Sequence, residues 1–503
     1  MSNIPLILRT LVHLRPQQVY YQIRKRIVKS KYELIQAPAT KRGGMSVSCV
    51  TKPKCWDGKA FTFLNLTSEF TSWNDAVNGN LWCYNLNYMD WLGQDGLDVK
   101  EGVYWIDKFI ADIPTTGMGM DPYPIALRSI NWIKFFLRHP ETITPERENS
   151  LYSQLKLLEK KLEYHLLGNH LLEDGYALYI GGVYFDDKAM SQRAEKLVNA
   201  QLKEQVLSDG MHYEQSPMYH CILLDRLLDC VNFRSTDFLK DTAVKMLGFL
   251  ESIVWNDKTI PLFNDAAYGI APTPEDLFDY ATRLKIQWER GNLGDSGYRK
   301  MKSESLEVMM DVGNMTATYQ PGHSQADTFN YELRINGGPF IVETGISTYN
   351  KNQRRQYERS TAAHNTVVVN GKDSSEVWGG FRVGRRAKVT IIEDVPGRIV
   401  AKHDGFSPII HKRAFSLRDR SFSIVDSLSK PAEAVSYIHL APTVKVISAD
   451  DNSVKTDAGT IIIENAKSVE VAKGEVSTEY NVFKETSTIK IHFDSTVKYR
   501  IEA

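Results

Sequence analysis

Apolar residues follow two different periods along this chain. From Tyr104 to about Arg290 they recur at three- and four-residue spacings, as in Ile125-Ala126-Ile130-Ile133, Leu151-Leu155-Leu158-Leu162 and Leu223-Leu227-Leu228. That spacing lays one apolar stripe along a helix. Pro122 and Pro124 mark a turn before the first of these helices. Helical hairpins repeated over such a stretch predict an α-solenoid or toroid, although no strict repeat period is visible. Near residue 305 the period changes: β-branched and aromatic residues alternate with polar ones, and turn signals recur. Tyr331–Ile335, Asn336-Gly337-Gly338 and Phe340–Val342 read as a hairpin, and Val367–Val369 before Asn370-Gly371 repeats the signal. Segments 387–393, 399–402, 422–425, 460–463 and 488–493 continue it. Antiparallel strands with tight turns predict a sandwich. The expected architecture is α+β multidomain, with a helical domain over 1–305 and a β domain over 306–503.

The first 32 residues are apolar but interrupted by Arg9, His13 and Arg15, with no small-residue cleavage site after a clean apolar core. They read as a basic amphipathic helix, broken or restarted near Pro16. No run reaches the roughly 20 apolar residues of a membrane span. The expected location is cytoplasmic, with the periplasm as second choice. Between residues 56 and 100 aromatics cluster, including Trp73, Trp82, Tyr84, Tyr88 and Trp91; helix packing accounts for most, and exposed ones would stack on sugar faces.

Composition changes this picture little. The 61 Lys and Arg balance 61 Asp and Glu, so no global charge argues for nucleic acid or an anionic membrane as partner. Five cysteines with no CxxC pair make a poor disulfide framework, and Cys221 and Cys230, set among apolar residues, read as buried thiols.

Three polar clusters interrupt the apolar scaffolding. Gly168-Asn169-His170 follows an apolar helix that Gly168 would cap, placing an amide and an imidazole side by side, a pair suited to a carboxylate. Asp209 to His220 contains His212, Glu214 and Tyr219. Ser216-Pro217 fits a helix start, so Tyr219 falls in a first turn, where the positive end of the macrodipole would lower the pKa of its hydroxyl. Gly322 to Asp327 sets His323, Gln325 and Asp327 on alternate residues, one side of an extended chain. Between Arg354 and Arg386 lie several arginines, Arg355 and Arg359 among them, which form either a solvated face or a wall for a polyanion. Together the clusters predict one active site at the seam of the two domains.

At these residues the chain resembles the heparinase II/III-like family of polysaccharide lyases. The resemblance is carried by 162–173, 209–220, Phe263-Asn264-Asp265-Ala266-Ala267, Gly322-His323 to Asp327, Ser360 to Thr366 and Ser375 to Gly379. It implies an (α/α) toroid followed by an antiparallel β-sandwich, and β-elimination at a uronic acid residue of an acidic polysaccharide. Asn169 and His170 would neutralise the uronate carboxylate, Tyr219 would transfer protons as base, leaving-group acid or both, and His323 would be the partner base. Tyr123, Arg128, His212, Glu214, Arg355, Arg359 and Trp378 are the expected substrate-binding residues. Some members hold a divalent metal through a second His in a Gly-His-x-His-x-Asp pattern. Here that position is Gln325, which leaves Gln325, Glu343 and His364 as the candidate donors, a set suited to a harder ion than zinc. No organic cofactor is implied. A uronyl C5-epimerase and a noncatalytic glycan-binding protein are the alternatives; the first needs the same three residues, Asn169, Tyr219 and His323.

Overall fold

The computed structural model describes residues 4–40 and 42–503. Two short helices, α1 (Ile4–Leu11) and α2 (Pro16–Ile27), lead the chain and break at Pro16 as the sequence predicts. The helical domain follows as α3 (Asn80–Tyr88), α4 (Val99–Asp112), α5 (Pro122–Arg138), α6 (Pro145–Lys161), α7 (Gly168–Tyr184), α8 (Lys188–Gln205), α9 (Pro217–Phe233), α10 (Asp237–Ile253) and α11 (Pro274–Arg283). Alternate helices pack on one another: α3 on α5, α5 on α7, α7 on α9 and α9 on α11, while α4 packs on α6 and α8 on α10. That alternation makes two concentric layers, the toroid arrangement of helical hairpins. The inner helices are buried on most sides, and α7 and α9 are buried almost all round, with polar residues such as Glu173, Asp174, Asp225 and Asp229 enclosed among the apolar ones.

Two local expectations change. Pro122 and Pro124 do not precede α5 but form its first turn, where a missing N–H costs nothing. Gly168 does not cap the preceding helix, which ends at Lys161; it opens α7 with φ +60°. A Cβ there would sit 2.6 Å from the Glu214 carboxylate, so only glycine lets that carboxylate close on the helix end.

The aromatic stretch folds in part as a hairpin, Ala60–Phe63 against Leu66–Glu69, turned by Leu64 and Asn65 at positive φ. Trp73, Trp82 and Trp91 are buried in the helical core, as packing predicts, whereas Tyr84 and Tyr88 are only half-buried.

The strands of the β domain begin at Tyr298, ahead of the expected 306, because Tyr298–Lys302 (YRKMK) carries too little apolar alternation to be read as one. A four-stranded sheet of 298–302, 306–311, 331–335 and 338–341 joins an eight-stranded sheet running from Val389–Val395 to Val446–Asp450, and a second four-stranded sheet containing Val367–Val369. The paired strands of all three sheets are antiparallel. One apolar core, with Phe340, Phe415, Phe422, Ile438 and Ile489, fills the space between them. The helical domain has its own core, and polar residues line the seam between the two.

Candidate active site

The inner helices start at Asn80, Pro122, Gly168 and Pro217, and their N-terminal turns face one cleft. Tyr84, Tyr123, Asn169, His170 and Tyr219 all project from those turns into it. The positive ends of these helix dipoles thereby converge where an anion would bind. The cleft is a cavity of about 730 Å³ on the toroid side and one of about 490 Å³ on the side of α1 and α2. Asn169, His170, His323, Lys351 and Phe381 line both.

His323 anchors the β-domain side. Its Nδ1 lies 3.0 Å from Asp265 Oδ2, and Asp265 also receives both Nη atoms of Arg355 (2.7 and 2.6 Å) and Nε2 of Gln325 (2.8 Å). Burial opposes the charge of Asp265, but Arg355 and His323 outweigh it and hold the carboxyl far below the usual range. An ionised Asp265 accepts the hydrogen bond from Nδ1 and leaves Nε2 as the ring nitrogen that faces the cleft. That nitrogen stands 3.4 Å from Asn169 Nδ2 and 3.6 Å from Glu214 Oε2. Asn169 in turn donates to both oxygens of Glu214 (3.2 and 2.9 Å).

Tyr219 stacks on the His323 ring with centroids 3.8 Å apart, and its hydroxyl is 3.3 Å from that of Tyr349. Ser216 caps α9 by accepting from Tyr219 N, as the sequence predicts. The expected fall in the Tyr219 pKa is overturned: burial pushes it up, with Asp265 and Glu214 adding to the rise over the opposing Tyr349 hydrogen bond. Loss of solvation outweighs the helix dipole, so the phenol rests protonated. His170 lies at the cleft surface with Nδ1 2.9 Å from Glu163 Oε2. Burial works against its charge, yet the carboxylates, Glu163 foremost, raise its pKa above the ordinary imidazole value.

The remaining residues expected at the site divide. Tyr123 and Trp378 line the cleft, and Glu214 positions Asn169. Arg128 is sealed in the helical core, bonded to Gln154 and the Asn87 carbonyl and stacked on Phe109, so a bound chain does not touch it. His212 is equally enclosed, held to Gln205, with burial lowering its pKa to about 4. Arg355 acts through Asp265, and Arg359 braces the His323 loop by donating to the Ser324 carbonyl at 2.9 Å. Neither arginine forms a substrate wall, because both guanidiniums are buried. Asp265 and Tyr349 were not singled out from sequence for a role at the site. The available signal for Asp265 was a polar Asn-Asp pair inside the apolar run 260–267.

The metal expectation fares worse. Gln325 turns its amide to Asp265, while His364 Nδ1 pairs with Glu343 Oε2 at 2.9 Å and Asn330 closes on the other Glu343 oxygen. His364 Nε2 and Asp327 Oδ2 are buried without a partner, and burial plus the neighbouring Asp311 pushes Asp327 up, which favours a neutral acid. The three expected donors do not converge, and among the described residues no three His, Cys, Asp or Glu side chains are grouped to hold a metal ion.

Charge differs between the two cavities. The larger carries Lys25, Lys52, Arg226 and Lys351 against Asp90, Asp121, Glu163 and Asp225, with Lys52 paired to Asp225 at 2.8 Å. The smaller carries Lys351, Arg382 and Arg386 against Glu214. A hydrogen-bonded amide, a cation-favouring imidazole, an oriented histidine and a neutral phenol thus share one cleft. That set can neutralise a carboxylate and move a proton on and off neighbouring atoms.

The profile described as "Heparinase II/III-like, C-terminal" matches residues 286–502, and "Heparinase II/III N-terminus" matches 146–276. A heparin-sulfate lyase of Bacteroides stercoris is 23% identical over 395 residues, covering 68% of this chain and 57% of that protein. One of Pedobacter heparinus is 23% identical over 333 residues, covering 58% and 48%. The chain thus spans about half the length of these curated relatives. A crystal structure of heparinase III superposes with a TM-score of 0.66 at 14% identity, covering 86% of this chain and 79% of that one. Heparan sulfate lyase HepC from Pedobacter heparinus gives 0.57 at 17% identity, covering 96% and 87%. Toroid, sandwich and both matched profiles place this chain in the heparinase II/III-like family.

Proposed function

We propose that the chain is a polysaccharide lyase that cleaves a uronic-acid-containing acidic polysaccharide by β-elimination, using its own side chains and no organic cofactor. The observation that carries this reading is the convergence of Asn169, His323 and Tyr219 on one point of the cleft, with His323 oriented by Asp265. The names of the curated relatives point the same way.

The C6 carboxylate of the uronate sits against the Asn169 amide and His170, at the N-terminus of α7. Neutralising it lets negative charge spread from C5 into the carboxyl group, an electrostatic effect worth several kcal/mol in comparable sites. His323 Nε2 takes the C5 proton, and the C–H electron pair becomes the C4=C5 double bond. The C4–O4 bond breaks, and the departing oxygen takes the Tyr219 phenol proton; solvent restores both groups. Assigning Tyr219 as the acid follows from its raised pKa, since a phenol that resists ionisation is a better donor than base.

The test is ultraviolet absorbance of the unsaturated uronate across a panel of uronic-acid polysaccharides, with Tyr219→Phe alongside. Removing the proton-transfer group should lower turnover by ~10²–10⁴. No absorbance rise on any polymer, or a rise that Tyr219→Phe leaves intact, sinks the proposal.

A further inference from the structure

Helices α1 and α2 are held to the rest of the molecule chiefly through polar and aromatic side chains. On α1, Arg9 donates to both Glu376 oxygens at 2.8 Å and Thr10 accepts from Trp378 Nε1 at 3.0 Å. On α2, Gln18 is buried against Gln320, Tyr21 stacks on Tyr164, and Lys25 lies 3.0 Å from His165. These anchors share one side of each helix. The opposite sides carry Ile4, Leu8 and Val12 on and just past α1, and Val19, Ile23 and Ile27 on α2, each set spaced i, i+4, i+8.

All six are exposed, Val12 at 76% and Ile27 at 74%. No residue of α1 is buried at all. Of the twenty large apolar residues exposed among the described residues, eleven lie between Ile4 and Leu34. A helix that only needed to dock on this protein would turn those residues the other way.

Charge on the same segment has one sign. The first carboxylate of the chain is Glu33, and before it stand Arg9, Arg15, Arg24, Lys25, Arg26, Lys29 and Lys31. Arg9, Arg15 and Lys25 are used as anchors; Arg24, Arg26, Lys29 and Lys31 are exposed. At 3.6 residues per turn, Arg24 and Arg26 fall on the two flanks of the Val19–Ile23–Ile27 stripe. An apolar stripe flanked by bases, on a helix too short to span, is the composition of a helix lying in a lipid headgroup region. No helix among the described residues is long and apolar enough to cross a membrane.

We propose that α1 and α2 are a peripheral docking surface for an anionic lipid bilayer. Ile7, Thr10, Leu11 and Gln18 on the same helices line the smaller cavity, so docking sets the mouth of the cleft beside the membrane surface. A polyanionic glycan is the weaker occupant, because it offers nothing to cover the apolar stripes.

The test is flotation of the full chain with vesicles of phosphatidylcholine alone or with one-third phosphatidylglycerol, at low and high salt. Binding is expected on the anionic vesicles and should weaken with salt. Arg24→Gln with Arg26→Gln should weaken it about 25-fold, at about five-fold per base. Ile23→Ser with Ile27→Ser should lower it at least ten-fold, with thermal unfolding unchanged in both variants. Failure to float with anionic vesicles overturns the proposal. So does equal flotation with phosphatidylcholine alone that ignores the substitutions. A dimer in light scattering that Ile23→Ser splits would make a second copy the occupant and overturn it as well. No glycan enters the assay, so this proposal and the lyase reading stand or fall separately.

Discussion

The molecule builds the same His–Asp–Arg group twice. At the seam, Asp265 holds His323 and both Nη atoms of Arg355. Inside the sandwich, Asp426 accepts from His411 Nε2 at 2.7 Å and from Arg413 Nε and Nη2 at 2.7 and 2.8 Å. Both carboxyls are held far below the usual range against the pull of burial, in each case with the arginine as the largest opposing influence. The second ring nitrogen separates them. His323 Nε2 opens on the cleft beside Asn169 and Glu214. His411 Nδ1 meets His403 Nε2 at 3.0 Å, and Gly405 N donates to His403 Nδ1. The inner group is a closed chain, fully buried, and it ties strands 398–406, 409–418 and 421–428 together. Identical chemistry serves structure where every donor is satisfied and reaction where one is left open.

The largest expected effects separate the two groups on two measurements. Asp426→Ala leaves Arg413 charged and unpaired in the core and should destabilise the chain by about 3–5 kcal/mol in urea unfolding, with turnover per folded molecule unchanged. His323→Ala should lower turnover by ~10²–10⁴ and cost about 1–3 kcal/mol of stability, less than Asp426→Ala, because Asp265 loses one hydrogen bond but keeps Arg355. Asp265→Asn belongs to both classes, stranding Arg355 and releasing the His323 tautomer, and should lose on both measurements. If Asp426→Ala lowers turnover of the folded fraction as far as His323→Ala does, the division is wrong.

Gln325→Leu probes the same contrast on a smaller scale. It removes one of four hydrogen bonds to Asp265 and should cost about 1–3 kcal/mol of stability, the range for leaving a buried acceptor short. Turnover should fall by less than ten-fold, since Arg355 still fixes the carboxylate. A larger fall in turnover would assign Gln325 a role in orienting His323 beyond a single bond.

How much of this could be read beforehand follows from which interactions are local. Periodicity along 125–133, 151–162 and 223–228 marked the helices, and alternation with Asn-Gly turns marked the sandwich, because both patterns repeat within a few residues. Ser216-Pro217 likewise placed Tyr219 in a first turn. The Gly168 reversal, by contrast, depends on Glu214 closing from the turn that precedes α9. Pairing of Arg355 with Asp265 spans ninety positions, so nothing near either residue distinguishes a buried ion pair from a substrate wall. Gln325 was a candidate metal donor only because it takes the place of the second His in the family's Gly-His-x-His-x-Asp pattern; its partner, Asp265, lies on a loop sixty residues away. The rise in the Tyr219 pKa has the same origin, since burial is set by the whole seam and the helix dipole only by the local turn.

The smallest effect concerns an imidazole that belongs to neither closed nor oriented group. His170 reaches Glu163 through Nδ1 and stays partly exposed. Its folded pKa lies above 6.5, so below about pH 6.5 folded and unfolded chains both carry the proton and the pair stabilises fully. As pH rises through the folded value that contribution is lost. Glu163, held below its ordinary 4.5, contributes above that value and loses its part as pH falls through its lower folded pKa. Exposure of the imidazole limits the stability change to under about 1 kcal/mol, so substrate affinity is the better readout. If the imidazolium pairs with the uronate, KM should rise on the alkaline side as His170 loses its proton. Glu163→Gln removes the carboxylate that favours the charged ring and should move that limb down toward about pH 6.5. A KM profile that keeps its alkaline limb in Glu163→Gln would remove His170 from carboxylate binding and leave that task to Asn169 and the α7 N-terminus.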